Sequence, residues 1–188
     1  LNRESGYIRI NKFSRTTYQE FQDGLDKLLK QGMKKLVLDI RGNGGGIVEE
    51  AVNMADEFLG NDELIVYTEG RKSPRKEYHA TRPGHFESGR LILLVDEGTA
   101  SASEILAGAL QDWDRATIIG RRTFGKGLVQ EPFMLSDGSE LRLTIARYYT
   151  PLGRSIQKPY NNGREAYDEE VIERFHNGEA LHGDTSTS

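Results

Sequence analysis

Two short apolar runs, each passing into a helical pattern through a turn of small residues, constrain this chain more than anything else in it. Leu36 to Ile40 (LVLDI) runs into RGNGGG and then Ile47 to Leu59, where Ile47, Val48, Ala51, Val52, Ala55, Phe58 and Leu59 recur at helical spacing. Leu91 to Val95 (LILLV) runs into DEGTASAS and then the helical stretch Ala102 to Gln111. Short apolar runs of this length suit strands covered on both faces. A strand that returns parallel to its neighbour needs a crossover, usually a helix, so the two units predict an α/β core. Ligands in such folds gather beyond the carboxyl ends of the strands, where both unusual turns lie.

The remaining pattern agrees with that core. Gly6 to Ile10 alternates like a strand, and Thr16 to Lys30 sets Tyr18, Phe21, Leu25, Leu28 and Leu29 on one helix face before Gly32. Leu64 to Thr68 and Ala116 to Ile119 read as strands, and Leu128 to Phe133 and Leu141 to Tyr149 as extended runs joined by a turn at SDGS. Residues 69–89 are charged and carry Pro74 and Pro83, which predicts an exposed loop. The order is β-α-β-α-β-β-α-β-β-β, with no internal repeat. Seven acidic and two basic residues fall in 161–188, leaving 1–160 close to neutral. The division expected is therefore a core over 1–160 and an acidic appendix over 161–188. In the appendix Tyr167, Val171, Ile172 and Phe175 predict a short docked helix, and GDTSTS a disordered end. The chain begins a few residues before a strand, as expected of a piece of a longer protein.

Composition excludes several chemistries. The 188 residues contain no cysteine, so disulfides, thiolate nucleophiles, Cys-ligated zinc and iron–sulfur clusters are ruled out. A net charge of −4 argues against non-specific nucleic-acid binding, which needs clustered Lys and Arg. No run approaches the ~18 apolar residues of a membrane-spanning helix.

Both turns and one later segment admit more than one explanation. Gly42, Gly44, Gly45 and Gly46 can make a tight strand-to-helix turn, or an anion cradle of converging amides. They do not make a dinucleotide fingerprint, because the third glycine would fall at Ile47. Ser101 can be the N-cap of a helix with Glu104 completing a capping box, or a nucleophile at the helix mouth beside the Ala102 amide. The histidines His79, His85, His176 and His182 lie in the polar loop or the tail, so a Ser-His-Asp triad has no support. GRRTFGKG imitates a P-loop, but Gly127 stands where Ser or Thr should hold magnesium, and strand-like sequence follows instead of a helix. Lys126 between Gly125 and Gly127 is then either a surface lysine in a turn or a lysine in a close backbone passage.

Taken in order, LDIRGNGGG, GTASASEI and TFGKGLVQ resemble the C-terminal processing (tail-specific) serine proteases, and SDGSELRLTIARYYTPLGRSIQ extends the match over roughly Gly6 to Tyr160. The resemblance implies a crotonase-like α/β core with helices packed on β-sheet, and a serine endopeptidase working through a Ser–Lys dyad. It makes Ser101 the nucleophile, Lys126 the general base and Gln130 the residue that orients that lysine. Gly45 and Ala102 take the oxyanion-hole positions. Glu104 becomes a support at the helix start, Asp112 a structural partner and Thr123 a second contact to the lysine. No cofactor and no metal are implied. Substrates would be proteins or peptides cut near their C-termini, oligomers are compatible, and the compartment would be extracytoplasmic, such as the bacterial periplasm or cell envelope. The family's PDZ domain would precede the GYI strand, outside this sequence. A catalytically silent ligand- or peptide-binding module on the same fold is the alternative, and the complete set Ser101, Lys126 and Gln130 argues against it. Lysines titrate near ~10.4, whereas base work at neutral pH calls for about 7–8. Enclosure between the two glycines is expected to keep the amine out of water.

Overall fold

The computed structural model describes residues 4–160 and 163–179. In chain order the elements are β1 (Ser5–Arg9), α1 (Thr17–Lys30), β2 (Lys35–Asp39), α2 (Val48–Asp56), β3 (Leu64–Glu69), β4 (Lys76–His79), β5 (Arg90–Val95), α3 (Ala102–Asp112), β6 (Thr117–Gly120), β7 (Leu128–Met134), β8 (Glu140–Tyr149) and α4 (Gly163–His176). A parallel sheet runs in the order β1-β2-β5-β6, and an antiparallel sheet in the order β4-β3-β8-β7. The expected mixed α/β architecture is present, divided between two sheets.

Register explains why the two apolar runs are central. Leu36 pairs with Leu91 and Leu38 with Leu93, so four buried leucines line one face of β2 and β5. Full burial of such a side chain contributes about 1.5–3 kcal/mol. Phe21 of α1 meets Phe58 with ring centroids 5.7 Å apart, and Phe58 meets Phe86 edge-on at 6.5 Å. This core fixes the carboxyl ends of β2 and β5 side by side, and with them the two turns.

Three expectations need correction. Residues 69–89 are not all loop, because β4 pairs antiparallel with β3 from Leu64↔His79 to Thr68↔Lys76. Its sequence KEYH is polar because the strand forms a sheet edge, so backbone pairing rather than apolar alternation defines it. The helix α2 stops at Asp56 rather than Leu59. Glu57 and Phe58 donate to Met54 and Ala55 carbonyls in a tightened last turn, and the buried Asp56 carboxylate accepts the Thr81 amide at 3.0 Å. Docking of α4 is mostly polar. Tyr167 is half-buried and stacks on Tyr160 at 4.3 Å, while Ile172 is exposed. The side chains of Val171 and Phe175, and the segment GDTSTS, lie outside the described residues.

Candidate active site

Strand β2 ends at Asp39, whose buried carboxylate accepts the Tyr7 hydroxyl at 2.7 Å and a two-pronged Arg41 guanidinium at 2.9 and 2.7 Å. The guanidinium beside it holds this carboxyl well below the usual range, and the tyrosine hydroxyl adds to the effect. The chain then turns through Gly42, whose amide donates to Asp96 of the facing turn at 2.8 Å. Asn43 is buried and stitches three segments together. Its side-chain amide donates to the Ile10 carbonyl at 2.9 Å, its side-chain oxygen accepts the Gly45 amide at 2.9 Å, and its carbonyl accepts Ala100 N–H and the Ser103 hydroxyl. A Cβ at Gly45, where φ is +93°, would lie 2.8 Å from Ser101 Cβ and 2.9 Å from the Ala102 nitrogen. Only glycine lets the loop come this close to the helix start.

Ser101 adopts φ 58° and ψ −120° immediately before α3. A non-glycine residue there is strained by about 1–3 kcal/mol, a cost that usually persists where function requires it. Neighbouring bonds hold the strained peptide in place. Ser101 N–H donates to the Glu104 carboxylate at 2.9 Å, while Glu104 and Ile105 amides donate to the Ser101 carbonyl at 2.8 and 3.1 Å. The Ala102 amide, first of the helix, has no acceptor among the described residues.

Glu104 does more than support the helix start. Buried to 5 % exposure, its carboxylate also accepts the Thr123 hydroxyl and the Gly125 amide at 2.7 Å and the Lys126 amide at 2.8 Å. One buried anion therefore binds the backbone of the serine turn and the backbone of the lysine turn at once. On the other flank Gly127 N–H donates to Gln157 Oε1 at 3.0 Å, and a Cβ at Gly127 would strike the Gln157 nitrogen at 2.5 Å. The helix α4 closes the same turn from outside: buried Arg174 donates to the Arg122 and Thr123 carbonyls, and Tyr167 OH accepts Gln157 at 3.0 Å.

Asn11, Lys12, Gly44, Gly45, Gly46, Ser101 and Lys126 line one cavity of about 400 Å³. The structure thus brings Ser101, Lys126 and Gly45 together, with Ala102 against Gly45 and with Glu104 and Thr123 directly behind. It does not bring in Gln130, which sits exposed on β7 opposite Thr144 and outside the cavity lining. Asp112 lies at the far end of α3, about 15 Å of helix away, where it accepts Leu152 N–H at 2.8 Å and the Arg154 guanidinium. Thr123 donates to Glu104 rather than to the lysine. The Gly45 amide is occupied by Asn43, so Gly45 offers space beside Ser101 rather than a free donor. Lys126 is exposed at the cavity rim, which corrects the expectation of a dry amine. Its flanking glycines make a close passage, but against Ile156, Gln157 and Lys158, none of which lines the cavity. His79 pairs with Glu77, and His85 with Asp26, both outside the cavity lining.

Sequence reasoning passed over Asn43, Asp96, Lys12, Gln157 and Arg174. An asparagine inside a glycine run is the side chain able to bond its own loop, which could have marked Asn43. Nothing local marks Gln157 or Arg174, whose partners lie 30 and 51 residues away.

Comparison with known proteins decides the family, since residues 4–163 match Peptidase family S41. The chain belongs to that family. A carboxyl-terminal-processing protease of Synechocystis sp. is 45% identical over 154 residues, covering 81% of this chain and 35% of the relative. A carboxy-terminal processing protease of Bacillus subtilis is 39% identical over 159 residues, covering 81% and 33%. The solved photosystem II D1 C-terminal processing protease superposes with a TM-score of 0.76 at 44% identity, over 81% of this chain and 39% of that one. A Streptococcus agalactiae lipoprotein, at 19% identity and a TM-score of 0.65, shares the fold. This S41 chain spans about a third of the length of the curated relatives quoted.

Proposed function

We propose that this S41 segment is the catalytic core of a serine endopeptidase that cuts proteins or peptides near their C-termini. The observation that carries the proposal is that Ser101, in a strained conformation at a helix start, and Lys126 share one cavity while their backbones converge on Glu104. Ser101 Oγ attacks the scissile carbonyl as neutral Lys126 takes its proton. The oxyanion forms against the Ala102 amide, and release of the Gly45 amide from Asn43 adds a second donor. A single such donor is worth about 3 kcal/mol in the transition state. Lys126 then returns the proton to the leaving amine, and water attacks the acyl-enzyme with the same base. Gln130 orients Lys126 only once that side chain swings toward β7, and Asp112 acts through the 150–154 turn.

The finer fold is proposed to be crotonase-like, with 1–160 as the core and 161–188 as an appendix that steadies the lysine turn. An extracytoplasmic setting fits relatives such as those named chloroplastic in Tetradesmus obliquus and Arabidopsis thaliana. No helix among the described residues is long and apolar enough to cross a membrane. Incubation with a fluorophosphonate probe tests the reading. Covalent labelling is expected in the wild type and lost in Ser101→Ala. An unlabelled wild type would favour the silent binding module, and equal labelling of the variant would reject Ser101.

A further inference from the structure

Lys12 has no place in the chemistry above, yet it lines the same cavity as Ser101 and Lys126. Its backbone is firmly seated. The Lys12 carbonyl accepts the Thr17 hydroxyl at 3.0 Å, and the next residue, buried Phe13, exchanges bonds with the glycine turn: Phe13 N–H to the Gly45 carbonyl at 3.1 Å and Ile47 N–H to the Phe13 carbonyl at 2.9 Å. A Cβ at Gly46 would lie 2.0 Å from the Phe13 carbonyl oxygen, so the two segments are in direct contact. The side chain, in contrast, is exposed and has no ion-pair partner among the described residues. Lys34 and Lys158 are each paired with a glutamate at 2.6 Å. The cavity lining carries two cations and no acidic group.

Those two cations cannot do the same work. Lys126 must give up its proton to serve as base, whereas Lys12 lines the same cavity with no such duty and no carboxylate paired to it among the described residues. A cavity with one spare ammonium beside the nucleophile is complementary to a substrate that brings a negative charge next to the scissile bond. We infer that Lys12 is a specificity-determining residue that binds a carboxylate of the substrate beside Ser101. The chemistry is satisfied by a terminal α-carboxylate on a short leaving fragment or by an Asp or Glu side chain. The inference rests on the proposed active site, but its test does not need turnover.

Binding can be measured in the 188-residue chain carrying Ser101→Ala, by titration with three N-acetylated alanine hexapeptides. One ends in a free carboxylate, one in a neutral amide, and one in an amide with a single internal glutamate. At least one anionic peptide is expected to bind about fivefold tighter than the neutral amide, an advantage that shrinks at high salt. Preference for the free terminus identifies the α-carboxylate, and preference for the glutamate peptide the side chain. Adding Lys12→Gln should erase the advantage and Lys12→Arg should restore it. Equal binding of all three peptides, no binding of any, or an advantage that survives Lys12→Gln would overturn the inference. Fluorophosphonate labelling of the otherwise wild-type chain stands apart from this result. Its failure alongside a Lys12-dependent preference would sink the hydrolase reading and leave the carboxylate site intact.

Discussion

Glu104 shows how much a single residue can carry when every contact is an accepted hydrogen bond. Four donors reach it, from Ser101, Thr123, Gly125 and Lys126. Hydrogen bonds to a charged group are worth about 1.5–3 kcal/mol each, and losing a buried partner leaves the donors unsatisfied. Glu104→Gln turns one acceptor oxygen into a donor, so it is expected to destabilise the chain by about 2–4 kcal/mol and to slow Ser101 labelling. Urea unfolding and probe kinetics measure the two effects, and unchanged values in both would remove Glu104 from the site. Asp39 gives a pH signature at the same scale. Its carboxyl is held below the unfolded value, so its stabilising contribution is full above the unfolded pKa and is lost as pH falls toward the folded one. Asp39→Asn should therefore cost stability at neutral pH and flatten the decline in acid. Parallel acid-unfolding curves for the two proteins would contradict that.

At the scale of elements, α4 reaches the lysine turn through Arg174, Tyr167 and the Lys158–Glu170 pair at 2.6 Å. Arg174→Ala removes a buried donor from the Thr123 carbonyl and is expected to loosen residues 123–127. Hydrogen exchange at the Gly125 and Gly127 amides should quicken in the variant, and unchanged protection would confine α4 to packing. The same elements show what sequence could reveal. LVLDI and LILLV were legible as buried strands because burial on both faces leaves few polar residues in the run, Asp39 being the one exception. The serine and glycine turns were legible because strained or close backbone demands small residues. The edge strand KEYH was not, since an edge is free to be polar. The hold of α4 on the lysine turn was not either, because Arg174 ends on the carbonyls of Thr123 and Arg122, 51 and 52 residues away, which carry no sequence signature.

For the whole molecule, the site is a meeting of four segments and not a property of any one of them. The end of β1 supplies Asn11 and Lys12, the end of β2 supplies the glycines, and the start of α3 supplies Ser101. Lys126 arrives from the link between the two sheets. Family motifs placed Ser101 and Lys126 in sequence, but whether the lysine is dry depends on how the assembled turns face solvent. Among the described residues it lies open. The central claim is that Lys126 activates Ser101. The rate of Ser101 phosphonylation in the wild type and in Lys126→Ala, followed from about pH 6 to about pH 10, tests it most directly. The wild-type rate is expected to rise across that range, and the variant to fall about 10²- to 10⁴-fold below it. Superimposable profiles would contradict the claim.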